Sequence, residues 1–418
     1  MKVSISKRHL PFSLAYFITM LTLLLNQFDA LPAPLILRKT KYLYIFFVCI
    51  LILSSKKIKR KCGVSFFVII LFFIHTILFG YIFTNPIAVE NISSNANQMM
   101  WYLLFVFVTY LYISQNDKFE LFINLSFYVT GLQLFIAGLL HYSDFVNPIW
   151  GLKQTFTEGV RYKTCFGFVH PGYLSNACFL VIVLSIFFYE INRFYQGKRK
   201  IIIWGSLLVI DALAIEMLMS AAQRSGIITS FFTTFFYFIF VIFRIRVERK
   251  TIFFFVVLFF LITAIMEATG VFTYIWSNSN RELNITVNYP VFQQIGNLWT
   301  GMGYVDNSGF HEEIAAFGIK TSSLDMYYVY IFFTTGIVGC ILIGTALIIM
   351  LIRLLMQKKT NLHIAAIGLY IGMLFFAFWQ CNMVTYRYVS PTILFLIVLF
   401  GMSDDFCMQK KMSIYMET

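Results

Sequence analysis

IFFFVVLFFLITAIMEATGVFTY, residues Ile252 to Tyr274, is an apolar run in which Glu267 is the only charge. A helix crosses the hydrocarbon layer of a bilayer with about 20 apolar residues, whereas a barrel strand needs only about 10. No water inside that layer satisfies peptide groups, so a spanning segment is either a helix or part of a closed barrel. This run is too long for a barrel strand and is therefore expected to be a transmembrane helix. The same pattern recurs along the whole chain.

Composition agrees with that reading. Of 418 residues, 59% are hydrophobic and 12% charged, with a mean hydropathy of +0.78. A soluble domain cannot hide so much apolar surface. Further spans are expected near 12–28, 41–54, 64–83, 99–113, 120–140, 170–190, 201–219, 227–243, 326–352, 363–381 and 390–403. The expected fold class is an all-α polytopic membrane protein of about twelve transmembrane helices. It forms a single integral membrane domain over 1–418, with one large outer loop between the ninth and tenth spans. Lys2, Lys7 and Arg8 before Pro11–Phe28 imitate a signal peptide. With no convincing small-x-small cleavage site, this stretch is read as an uncleaved first span.

The net charge of +13 would suggest nucleic acid in a soluble protein. Here it sits in short clusters between spans, so it is topological and no nucleic-acid partner is expected. Roughly two thirds of the Lys and Arg fall on the N-terminal side of the bilayer, which by the positive-inside rule puts both termini in the cytoplasm. Lys56–Lys61, Arg193–Lys200 and Arg244–Lys250 are the main clusters. The first hairpin runs against the rule through Arg38, Lys39 and Lys41. Seven cysteines show no CxxC or zinc spacing, and no disulfide framework or metal is expected. Only Cys165 and Cys381 are placed towards the outer side.

Arg161, Arg224, Arg281 and Arg387 fall on the outer side, where positive charge is normally avoided. Two outer loops, 141–169 and 275–325, are longer than a turn requires, and loops of that kind are functional or disordered. In the first, Arg161-Tyr-Lys163-Thr-Cys-Phe-Gly-Phe-Val-His170-Pro171-Gly172 leads into a span. Cations at a helix N-terminus, with its unpaired N–H groups, suit an anion. The competing reading sets Arg161 and Lys163 on lipid headgroups and His170 as a cap. Gln223-Arg224-Ser225-Gly226 forms a tight outer turn, where Arg224 either reaches a cavity or snorkels. The second loop carries Arg281-Glu282, Gly301-Met-Gly303-Tyr304, Asp306, His311, Glu312, Glu313 and Asp325. Within the bilayer, Asp211, Glu216 and Glu267 are functional residues by default or pair between helices. His75 and Gln133 are expected to make ordinary interhelical polar contacts.

These patches resemble the Wzy-type polysaccharide polymerases of the O-antigen polymerase and ligase superfamily. Arg161 to Gly172 fits their Arg-x10-Gly signature, and Phe166 to Gly172 resembles their FGFGHPN segment. Gln223 to Gly226 resembles the superfamily's SRTG turn. Gly301-Met-Gly-Tyr304, Leu324-Asp325-Met-Tyr-Tyr328 and Gly336-Ile-Val-Gly339 resemble its GxG…(H/D)NxY…GxxG block. The chain departs from the pattern at Gly172, at Asn280-Arg281 and at Met326.

The resemblance implies a metal-independent glycosyltransferase without cofactors. It would join polyprenyl-diphosphate-linked oligosaccharide repeats on the outer face of the cytoplasmic membrane, working in membrane lipid with a flippase and a chain-length regulator of the same pathway. Arg161, Lys163, Gly172, Arg224, Arg281 and Tyr304 would bind substrate, and Asp325 or His170 would serve as base. Two other activities compete. One is a ligase that hands finished polymer to another acceptor; the other is a lipid-linked sugar flippase with Asp211, Glu216 and Glu267 as its relay.

Overall fold

The computed structural model describes residues 9–28, 39–54, 63–83, 89–142, 155–158, 161–221, 223–242, 268–269, 285, 288–290, 292–294, 296–304, 326–357, 360–378, 383 and 389–403. Eleven helices fall in these residues. They are α1 (Leu10–Leu25), α2 (Thr40–Leu53), α3 (Val64–Ile77), α4 (Val89–Asn116), α5 (Phe119–Tyr142) and α6 (Pro171–Asn192), then α7 (Lys198–Ser220), α8 (Arg224–Ile242), α9 (Tyr327–Met356), α10 (Asn361–Ala377) and α11 (Val389–Gly401). Each coincides with one of the expected spans. The expected ninth span, 252–274, and most of the loop that follows it lie outside the described residues.

Six of these segments are long and apolar enough to cross a membrane, and five shorter apolar helices accompany them. The chain is thus a helical, membrane-embedded protein. One feature departs from an all-helical chain. Strands β1 (Thr155–Glu158) and β2 (Arg161–Thr164) pair antiparallel, with Glu158 opposite Arg161 and Thr155 opposite Thr164. Alternating Thr and aromatic residues favour extended backbone, and pairing satisfies peptide groups that lie beyond the helices.

Local signals set the helix starts. Pro occupies the first turn of α1 and of α6, where its missing N–H costs nothing. The Thr360 hydroxyl accepts from the His363 N–H at 3.3 Å and caps α10. Helix α3 loosens into a π-turn over Leu78–Ile82.

Helices α6 and α11 form the interior, and every α11 residue from Ser390 to Gly401 is buried. Around them α5, α7, α8 and α10 pack on α6, while α3, α4 and α9 make a second group joined through α11. In lipid, apolar contact alone does not drive helices together, so close packing and interhelical hydrogen bonds matter more. Several such bonds occur: Tyr16 to Ser126 at 2.8 Å, Tyr44 to Thr109 at 3.0 Å, and Ser65 to the Leu399 carbonyl at 2.8 Å. Gln133 donates to the Leu24 carbonyl at 3.0 Å and to Gln27 at 3.1 Å, the interhelical role expected of it. Each bond of this kind contributes about 0.6 kcal/mol, reaching about 1.7 at best.

Candidate functional site

The Arg161–Gly172 stretch is held between two helices. After β2, the chain turns at Phe166 and Gly167, whose φ values are 49° and 78°. A residue with a side chain pays about 1–2 kcal/mol for that left-handed conformation. Here the ring of Phe166 is fully buried, 4.1 Å from His141 and 6.0 Å from Tyr142 at the end of α5, which offsets the strain. Val169 N–H then donates to the Gln27 carbonyl at 3.0 Å, and Phe28 bridges Phe168. The motif is thereby pinned to the end of α1.

His170 stands at the N-cap of α6, and its Nδ1 accepts from the Gly172 N–H at 3.0 Å. Of the two readings open for His170 in the sequence, the cap is the one its geometry displays. Gly172 is buried in the first turn of α6. Arg161 and Lys163 occupy β2, which leads into that turn.

The second arginine motif arrives at the same place. Arg224 is the first residue of α8, and the Gln223 carbonyl accepts from the Ile227 N–H at 3.2 Å. Gly226 lies so close to α6 that a Cβ there would sit 1.9 Å from Ser175 Oγ and 3.2 Å from Leu218 of α7. The N-terminal ends of α6 and α8 therefore touch, at the end of the bundle into which β2 leads. Two helix N-termini side by side offer unpaired N–H groups and partial positive charge to an anion.

The glycine block assembles elsewhere. Helix α9 breaks at Gly336, where φ is 60° and ψ is −162°. A short hook, Asn297–Tyr304, fills the break. Met302 and Gly303 donate to the carbonyls of Phe333 and Thr334 at 2.9 and 2.7 Å. In return, Ile337 and Val338 donate to the carbonyls of Leu298 and Trp299 at 3.0 and 3.1 Å. Gly301 and Gly336 are required by this approach. A Cβ on Gly301 would lie 2.4 Å from the Thr334 carbonyl carbon, and one on Gly336 would lie 2.5 Å from that of Trp299.

Tyr304, expected to bind substrate, ends the hook with its own side chain buried at 4% exposure. Its hydroxyl is hydrogen-bonded to His75 Nδ1 at 2.8 Å, and its carbonyl accepts from Asn95 at 3.0 Å. His75 was expected to make an interhelical polar contact; its hydrogen bond instead anchors the hook. Arg281 and Asp325 lie outside the described residues, as does Glu267.

Three carboxylates mark the interhelical seams. Asp211 accepts from Ser185 of α6, and Glu216 accepts from Tyr142 of α5 at 2.5 Å. The third, Glu190, was missed because a span drawn to residue 190 leaves it on the boundary. It is buried and accepts from Tyr237 of α8, from Asn361 of α10 at 3.2 Å and from Arg193 at 3.2 Å. That network ties α6, α8 and α10 at the end opposite the arginine motifs. Close by, burial and then the Glu120 carboxylate hold the Tyr195 phenol above its ordinary range. An acid two residues inside the end of an apolar run was the signal available in the sequence. Cys165, placed towards the outer side by its position, is buried.

No protein-family model matches the chain, and no curated protein matches it either. Fold and site together define a class, a helical membrane-embedded protein with two helix N-termini in contact and a spliced helix. Its activity has to be argued from chemistry.

Proposed function

We propose that the chain is a membrane glycosyltransferase of the polysaccharide-polymerase kind, joining polyprenyl-diphosphate-linked oligosaccharide repeats. The observation that carries this reading is the contact between the N-terminal ends of α6 and α8, each preceded by or beginning with an arginine segment. When a glycosidic bond to a lipid diphosphate breaks, negative charge gathers on the leaving group. Guanidinium forks and helix N-termini stabilise such charge. Removing one fixed donor of this kind typically raises the barrier by about 3–4 kcal/mol.

The reading assigns Arg161, Lys163 and Arg224 to the diphosphate, with Arg281 joining from the large loop over 275–325. Asp325 is the base for the acceptor hydroxyl. His170, whose Nδ1 is engaged in the cap, acts by holding the α6 terminus in place. The reading also sets about twelve spans with both termini in the cytoplasm, so that the arginine end faces outwards. The lipid diphosphate already activates the donor sugar, so this chemistry asks for no nucleotide sugar.

The test is Arg161→Ala and Arg224→Ala in cells that make the polymer. The expected outcome is loss of long polysaccharide with single repeats retained. Unchanged chain length in both variants would refute the diphosphate role. Intact polymer left unattached would indicate a ligase, and translocation of labelled repeat into vesicles without bond formation would indicate a flippase.

A further inference from the structure

The end of α5 and the last turn of α7 meet in a contact that the diphosphate chemistry does not use. The Tyr142 hydroxyl donates to Glu216 Oε1 at 2.5 Å, and Ser220 Oγ makes a longer 3.5 Å contact with the same oxygen. Among the residues whose side chains are described, none donates to Oε2. Both side chains are outward-facing, and Tyr142 is 62% exposed. Beside them, the His141 ring lies 4.8 Å from Tyr142 and 4.1 Å from the buried Phe166. The rings are fixed from behind by the strained turn after β2.

This corner adjoins the arginine end. Phe166, whose ring lies against His141 and Tyr142, belongs to the Arg161–Gly172 stretch that leads into α6. A carboxylate on the outward side of an apolar helix needs polar company. Tyr142 satisfies one oxygen, and the exposed position of Glu216 gives a ligand's donor access to the carboxylate. An anionic acceptor next to aromatic faces is the chemistry that recognises a pyranose. Sugar hydroxyls donate to the carboxylate, and the C–H face of the ring lies on the aromatics.

We propose that Glu216, braced by Tyr142 and flanked by His141, binds sugar hydroxyls of the oligosaccharide repeat beside the diphosphate-binding termini. The inference rests on the glycosyltransferase reading, and it assigns the saccharide, not the diphosphate, to this corner.

The experiment uses the full-length protein in detergent with two probes. One is the reducing oligosaccharide released by mild acid from the lipid-linked repeat of cells lacking this protein; the other is inorganic pyrophosphate. Glu216→Gln keeps an acceptor for Tyr142 but removes the charge. It is expected to weaken oligosaccharide binding about tenfold, since hydrogen bonds to charged groups are the stronger kind. KM for the lipid-linked repeat should rise with kcat little changed, while pyrophosphate binding and melting temperature stay as in wild type. Should Glu216→Gln fail to fold, Tyr142→Phe carries the same test with a loss of about threefold. Equal oligosaccharide binding by wild type and the variant that folds, or none by wild type, overturns the inference. If Arg161→Ala and Arg224→Ala stop polymerisation while Glu216→Gln leaves binding and KM unchanged, the enzyme reading stands and this site falls. If wild type binds the oligosaccharide through Glu216 but never polymerises the repeat, the site stands and the enzyme reading falls.

Discussion

Gly336→Ala tests the spliced helix most directly. The residue lies in the first third of a 30-residue helix, roughly 14 Å from its start at 1.5 Å per residue. A 30-residue helix, about 45 Å long, overhangs a hydrocarbon layer about 30 Å thick, and centring it there sets Gly336 about 6 Å inside the layer. At this level the break leaves four backbone groups without helical partners: the carbonyls of Phe333 and Thr334 and the N–H groups of Ile337 and Val338. The hook satisfies all four. A methyl group on Gly336 would fall 2.5 Å from the Trp299 carbonyl carbon and 2.6 Å from the Thr300 nitrogen. Those are backbone atoms, which cannot rotate away as a side chain would.

Two costs follow. The combination of φ 60° and ψ −162° is nearly exclusive to glycine, and alanine there loses about 1–3 kcal/mol. If the hook withdraws to relieve the clash, each abandoned group costs about 1–3 kcal/mol in a setting with no water to replace it. The sum is at least several kcal/mol. Gly344, in the same helix, has no neighbour within 4 Å of its would-be Cβ and serves as the control. Thermal melting of the detergent-solubilised protein should therefore fall by many degrees for Gly336→Ala and for Gly301→Ala, and not for Gly344→Ala. The double variant Gly301→Ala/Gly336→Ala should melt no lower than the worse single, because both break one clamp. If Gly336→Ala melts with wild type, the hook does not splice the helix and the argument fails.

Other outcomes follow from single contacts. Tyr304→Phe removes the partner of His75 Nδ1, on a ring whose Nε2 has none among the described residues, and should cost about 1–3 kcal/mol, read as lower melting with the hook loosened to proteolysis. Glu190→Ala strips the shared acceptor of Arg193, Tyr237 and Asn361. The loss should approach about 3 kcal/mol, with Glu190→Gln milder and the activity per folded molecule unchanged, since the network lies at the far end. His170→Ala deletes the cap on α6 and should lower stability by about 1 kcal/mol, with polymer length reduced but not abolished if the residue only holds the terminus.

Much of this was legible in advance for a plain reason. Lipid demands long apolar helices, and a run such as Pro171–Asn192 announces itself by composition without regard to neighbours. The Arg-x10-Gly spacing and the Gln223–Gly226 turn each directly precede or open a helix, and those two helices, α6 and α8, touch. Other features carried no one-dimensional signal. Tyr304 looked like an exposed loop aromatic, yet it is buried on His75, more than two hundred residues away. Glu190 looked like a boundary residue and is a hub. The pairing of β1 with β2 hid inside a stretch read only as loop.

The sequence alone therefore determined the solvent of this protein, the positions of its helices and the places where charge had to be explained. Those properties depend on local composition, which the chain states residue by residue. Only the tertiary structure decided that Gly226 seats the start of α8 against α6, that Gly301 and Gly336 exist for each other, and that Tyr142 braces Glu216. These depend on which surfaces meet, and close approach is a property of pairs that no single segment encodes.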